Sequence, residues 1–211
     1  MSTHNMQEPE LANVQIKGTT RQAFILRGAV AAGSVYGLST VVPFVGEALA
    51  QGGGDVDILN FALTLEYLEA AFYTQALKST KGLSGDAKKL ATTLRDNEME
   101  HVSAITATVK KLGGKPVKAP GVDFGKAFAS QKSFLTTAKT FEDLGVGAYN
   151  GAGPMIKSTE VLAAAGSIVQ IEGRHAGAIR LMLGEKIAPS AFDKGIPMAT
   201  VLKAAKPFIK A

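Results

Sequence analysis

Leu90-Ala91-Thr92-Thr93-Leu94-Arg95-Asp96-Asn97-Glu98-Met99-Glu100-His101-Val102-Ser103-Ala104-Ile105 is the stretch on which the fold turns. Leu90, Leu94, Ile105 and Leu112 recur at helical spacing, and Glu98 and His101 fall inside that apolar register rather than opposite it. Positions three apart on a helix lie on one face, a turn apart. A carboxylate and an imidazole so placed can grip one metal ion. The pattern recurs as Glu172-Gly173-Arg174-His175, again inside an apolar line of Val161, Ala165, Ile168, Ile179 and Met182. A lone Glu-x-x-His is usually a surface ion pair; two copies, each on a buried stripe, ask for another explanation.

Working outward, Asp55 to Lys78 reads as a first helix, with Asp55 as its cap and Ile58, Ala62, Leu65, Phe72 and Ala76 on its apolar line. Ser79 to Gly85 is a loop. The second helix runs from Asp86 to Leu112 and is ended by Gly113, Gly114 and Pro116. Gly113 to Lys132 has no steady period and reads as a long connection. A third helix covers Ser133 to Asn150, with Phe134, Ala138, Phe141, Gly145 and Tyr149 on one face, and Gly151 to Pro154 breaks it. A fourth runs from Ser158 to Gly184, and a short tail helix spans Met198 to Phe208. Strand signals are poor. The expected fold is all-α: a four-helix bundle with one long crossover between helices 2 and 3 and a short C-terminal helix.

The two halves repeat each other. Glu66 is followed seven residues later by Tyr73, and Glu142 seven residues later by Tyr149. Each half then supplies one Glu-x-x-His. A pseudo-two-fold pair of hairpins would give each of two metals a terminal Glu and a His, with two further Glu shared. Iron and manganese accept such carboxylate and imidazole donors. Without metal, these acids in an apolar core would need partners or protons. Glu69, one turn after Glu66, is the alternative to Glu66, or else an additional acid beside the site. Tyr73 and Tyr149 are candidates for a redox relay, with packing as the plainer role. Glu100 is expected in solvent, Glu160 at a helix start, and Met155, Met182 and Met198 as core fillers.

The chain has no cysteine, which excludes disulfides, thiolate metal sites and cysteine nucleophiles. Its net charge of +5 comes from scattered lysines without interleaved aromatics, so nucleic acid is not an expected partner. Residues 1–50 read as a leader and an export signal: Thr20, Arg21, Phe24, Leu26 and Arg27, an uncharged stretch from Gly28 to Gly46, and a small-residue end at Ala48-Leu49-Ala50. The start resembles a twin-arginine motif, with Gln22 where the second arginine belongs. The mature domain is then 51–211, exported to the periplasm, envelope or exterior. Retention of Gly28–Gly46 as a membrane tether is the alternative.

The run from Leu59 to Tyr73 resembles the first helix of exported ferritin-like proteins, a group that includes desiccation-related and stress-response members. Ile168 to Arg180, and less specifically Phe192 to Ile209, are similar to that group's last helix and tail. The resemblance implies a centre of two iron or two manganese ions held by Glu66, Glu98, His101, Glu142, Glu172 and His175. It also implies O₂ or peroxide as reaction partner, pairing of two such bundles as homodimers, and ferroxidase or peroxide-removing activity. The competing expectation is a metal-braced structural protein of the envelope.

Overall fold

The computed structural model describes residues 54–210; the leader and signal-like segment expected over 1–50 lie outside the described residues. The helices are α1 (Asp55–Ser79), α2 (Gly85–Lys111), α3 (Gln131–Ala152), α4 (Thr159–Met182) and α5 (Met198–Ala205). A 3₁₀ turn, Gly153–Met155, precedes α4, and another, Lys206–Phe208, follows α5. The architecture is all-α, as the periodicity requires. α1 packs most extensively on α2 and α3 on α4, so the bundle is two hairpins.

The packing fixes the helix directions. One apolar layer joins Leu59, Ala62 and Leu63 early in α1 to Ile105 and Val109 late in α2 and Val161 early in α4. The other joins Phe72 and Ala76 late in α1, Ala91 and Leu94 early in α2, Phe134 and Phe141 in α3, and Ile179 in α4. α2 therefore ends at the layer opposite the one where α3 begins, and the chain must travel the length of the bundle between them. That journey is the physical reason for the long connection at 112–130. It is not a loose tether. Phe124 and Ala127 are buried, and Phe72 gathers Phe124, Phe134 and Phe141 around it at ring-centroid distances of 5.2, 5.6 and 4.9 Å. Asn60 anchors its first part, donating to Lys115 O at 3.1 Å and accepting from Val117 N at 2.9 Å.

Several expectations need correction. Asp55 is not the cap of α1: it is the first helical residue, and its carboxylate accepts from the backbone N of Lys157 at 2.7 Å and of Ser158 at 2.8 Å, tying the start of α1 to that of α4. α3 ends at Ala152, inside the Gly151–Pro154 run expected to break it, two residues beyond Asn150. Gly151 serves a close approach, since a Cβ there would stand 2.1 Å from Ile196 O in the segment that straps across α3. Leu112 and Met155 are exposed, because both lie where a helix has already ended. The early part of α4 is covered along one edge only: Val161 is buried, while Ala165 and Ile168 are half-buried and Leu162 is exposed. A two-residue antiparallel pair, β1 (Gly121–Val122) with β2 (Ile209–Lys210), staples the crossover to the chain's end. Among the described residues no helix is long and apolar enough to cross a membrane.

Candidate metal centre

Between the two apolar layers lies a polar one. Glu66 and Glu69 come from α1, Glu98 and His101 from α2, Glu142 from α3, and Glu172 and His175 from α4, and all are buried. Each helix puts them there by keeping them in its apolar register, so the packing that drives the bundle together also carries the charges inward. Among the described residues, two groups have ligand atoms within 4.8 Å of one another: Glu66, Glu98, His101 and Glu172, and Glu98, Glu142, Glu172 and His175. The groups share Glu98 and Glu172. All six residues expected to converge do so. Glu69 belongs to neither group.

Both imidazoles turn Nδ1 inward. His101 Nδ1 is 3.0 Å from Glu98, 3.1 Å from Glu66 and 3.2 Å from Glu172. His175 Nδ1 is 2.9 Å from Glu98 and 3.2 Å from Glu142. The tyrosines cross over. Tyr73 of α1 donates its hydroxyl hydrogen to Glu142 of α3, and Tyr149 of α3 donates to Glu66 of α1. Each terminal carboxylate is thus oriented by the tyrosine of the other hairpin.

The electrostatics are those of a site crowded with acid. Burial, with Glu172 and Glu98 nearby, pushes Glu66 up to about 8 against the pull of His101. Burial likewise raises Glu172 to about 8 and raises Glu142 and Glu69. Glu98 is opposed by burial too, but hydrogen bonding to His101 and His175 carries it down to about 2. The imidazoles, disfavoured as cations by burial, are pulled up by the surrounding carboxylates, His101 to about 12 and His175 to about 10. Burial holds both tyrosine hydroxyls well above their ordinary value.

Even so, the protein leaves this layer incompletely satisfied. Glu98 Oε1 and both Glu172 oxygens are buried without a hydrogen-bond partner. His175 Nδ1 stands 2.9 Å from Glu98 Oε1 and His101 Nδ1 3.2 Å from Glu172 Oε1 as ion pairs. Orphaned oxygens of this kind are costly, and here they belong to the two carboxylates common to both groups. A donor set of four carboxylates and two imidazoles suits divalent iron or manganese, and the buried Glu/His groups are able to hold metal ions.

Further features stand beside the six converging residues. Asn97 Nδ2 lies 2.9 Å from His175 Nε2, behind the ring; it sits at the edge of the α2 stripe, and periodicity alone does not name its partner. Gly145 makes room for acid: a Cβ there would stand 3.0 Å from Glu172 Oε2 and 3.3 Å from Glu69 Oε1. A narrow crevice lined by Leu65, Leu68, Phe141, Leu144 and Gly145 also reaches Glu69. A separate cleft of about 310 Å³ lies against Asp143, Gly147, Arg180 and Lys194, and none of the six converging residues lines it.

Residues 54–185 match the family model described as a ferritin-like domain. No curated protein matches the chain.

Proposed function

This chain belongs to the ferritin-like domain family, and we propose that it is a stress-protective oxidoreductase whose buried cluster holds two iron or two manganese ions. The observation that carries this reading is the pair of four-residue groups sharing Glu98 and Glu172. One ion would take Glu66 and His101 as its own ligands, the other Glu142 and His175, with Glu98 and Glu172 common to both. Four carboxylates balance the charge of two divalent ions, which supports a pair rather than one. When bound, such ions supply electron exchange with O₂ or peroxide, alternating between divalent and trivalent states.

The chain's own residues prepare that chemistry. Packing of the two apolar layers keeps bulk water from the carboxylates. Tyr73 and Tyr149 orient the terminal glutamates by hydrogen bonding. The signal-like leader supports action outside the cytosol, in keeping with the resemblance to exported desiccation- and stress-related members of the family.

The test is the aerobic oxidation of added ferrous iron by the mature protein beside its Glu98→Ala variant, with elemental analysis of both. The variant is expected to lose bound metal and activity together. Equal rates overturn the catalytic reading, and tight metal binding without turnover in the wild type leaves the ions a bracing role only.

A further inference from the structure

The two halves of the centre are not equal. His175 has an Asn97 amide 2.9 Å behind its Nε2. His101 has no such support: its hydrogen bonds and ion pairs all run through Nδ1, and among the described residues nothing hydrogen-bonds its Nε2. The reason is legible in the repeat. Asn97 immediately precedes Glu98, and the residue that immediately precedes Glu172 is Ile171, which can neither donate nor accept.

An imidazole that ligates through Nδ1 must keep that lone pair free and carry its proton on Nε2. A partner that accepts from Nε2–H fixes both the tautomer and the ring orientation. Asparagine suits the task in both states. In the neutral tautomer with its proton on Nδ1, the Asn97 amide N–H donates to Nε2. When the proton stands on Nε2, a half-turn of the amide presents its oxygen to accept it.

We propose that Asn97 is a positioning residue that preorganises His175, so that the Glu142–His175 position takes its metal first and more tightly than the Glu66–His101 position. This rests on the dinuclear reading above. It also implies that the centre loads stepwise: a singly loaded protein, with its ion on the α3–α4 hairpin, precedes the doubly loaded one.

The experiment is calorimetric titration of metal-free mature protein with Mn(II). The wild type is expected to show two resolved steps. Asn97→Ile, which gives the first half the residue the second already has, should weaken the tighter step by about 10–100-fold, the range typical of lost support to a ligating histidine, and leave the weaker step in place. Asn97→Asp, which still accepts from Nε2–H, should retain the tighter step. Ile171→Asn should tighten the weaker one. A tight step that survives in Asn97→Ile, or an Asn97→Asp variant as weak as Asn97→Ile, overturns the proposal. Should circular dichroism show Asn97→Ile unfolded, Asn97→Asp and Ile171→Asn decide it: an unchanged weaker step in the latter counts against it. Wild-type protein that takes up no Mn(II) or Fe(II) overturns the metal reading itself, a result distinct from two equal steps, which overturn only the asymmetry.

Discussion

Tyr73 on α1 donates its hydroxyl hydrogen to Glu142 on α3, and it does so from a fully buried position beside Phe72 and Phe134. The two-fold counterpart, Tyr149 to Glu66, is half-buried. The pair therefore joins the hairpins twice, through the polar layer itself. Removing one hydroxyl leaves a buried carboxylate oxygen without its donor, a loss of roughly 1–3 kcal/mol. Tyr73→Phe is expected to destabilise the metal-free protein by about that much in urea denaturation. Tyr149→Phe should cost about as much, because its acceptor Glu66 is just as deeply buried. A Tyr73→Phe variant as stable as the wild type would contradict this account.

The pH dependence of the metal-free fold follows from the shifted groups, and the signs divide them. Glu98, held down to about 2, contributes stability above the ordinary carboxylate value of 4.5 that is lost as pH falls toward 2. Glu66 and Glu172, raised to about 8, keep protons that the unfolded chain has released, so their contribution is full below 4.5 and is lost as pH rises through 8. His101 and His175 act in the same direction, with a contribution full below 6.5 and lost as pH climbs through about 12 and about 10. The metal-free melting temperature should peak in mild acid and decline steadily into alkali. Metal binding has the opposite slope, because the ligands must shed protons. Mn(II) should therefore raise the melting temperature more at about pH 7.5 than at about pH 5.5, and an equal rise at both would count against proton-coupled binding.

Two glycines in helices should respond in opposite ways to alanine. At Gly166 in α4 an added Cβ would meet nothing within 4 Å, so Gly166→Ala gains helix propensity and should stabilise by roughly 0.5–1 kcal/mol. At Gly151 the new carbon would meet Ile196 O at 2.1 Å and Ile196 N at 3.0 Å. These are backbone atoms, so the strap over α3 must move, and Gly151→Ala is expected to destabilise by about 1–3 kcal/mol. Thermal melts of the two variants decide it.

How far the sequence could be read depends on whether a residue sits on a periodic stripe. Glu98, His101, Glu142, Glu172 and His175 do, and their convergence follows from helix spacing alone. Glu66 and Glu69 both lie near the line of α1; the seven-residue step to Tyr73, echoed at Glu142 and Tyr149, favours Glu66, and in the packing Glu66 faces His101 while Glu69 stands beside Gly145. The short β1–β2 pair escapes because two-residue strands have no period to detect. Phe124 escapes because the crossover has none either, and its burial depends on where Phe72 and Phe141 come to rest. Asn97 stands at the edge of its own stripe, three residues after Leu94 and four before His101, and helix spacing does not reveal that its amide finds a partner on α4. Helix starts shift by a residue or two wherever a serine side chain, at 84, 130 or 158, takes over the cap.

Glu69 and Gly145 occupy matching positions, each one turn past the terminal glutamate of its half, and the absence of a side chain at 145 is what lets the Glu69 carboxylate lie beside Glu172. Gly145→Ala should therefore act on the centre more than on the fold. The helix gains from alanine, but the new carbon crowds Glu172 Oε2 at 3.0 Å and Glu69 Oε1 at 3.3 Å, and Mn(II) affinity should fall because Glu172 is displaced. Glu69→Ala opens the space again, so the double variant should bind better than Gly145→Ala alone. The non-additivity expected for groups in contact is about 0.5–3 kcal/mol in a double-mutant cycle read by Mn(II) affinity. Strict additivity would mean that the two positions do not share that space, and the fifth carboxylate would then owe its burial to the crevice of Leu65, Leu68, Phe141 and Leu144 rather than to the glycine across from it.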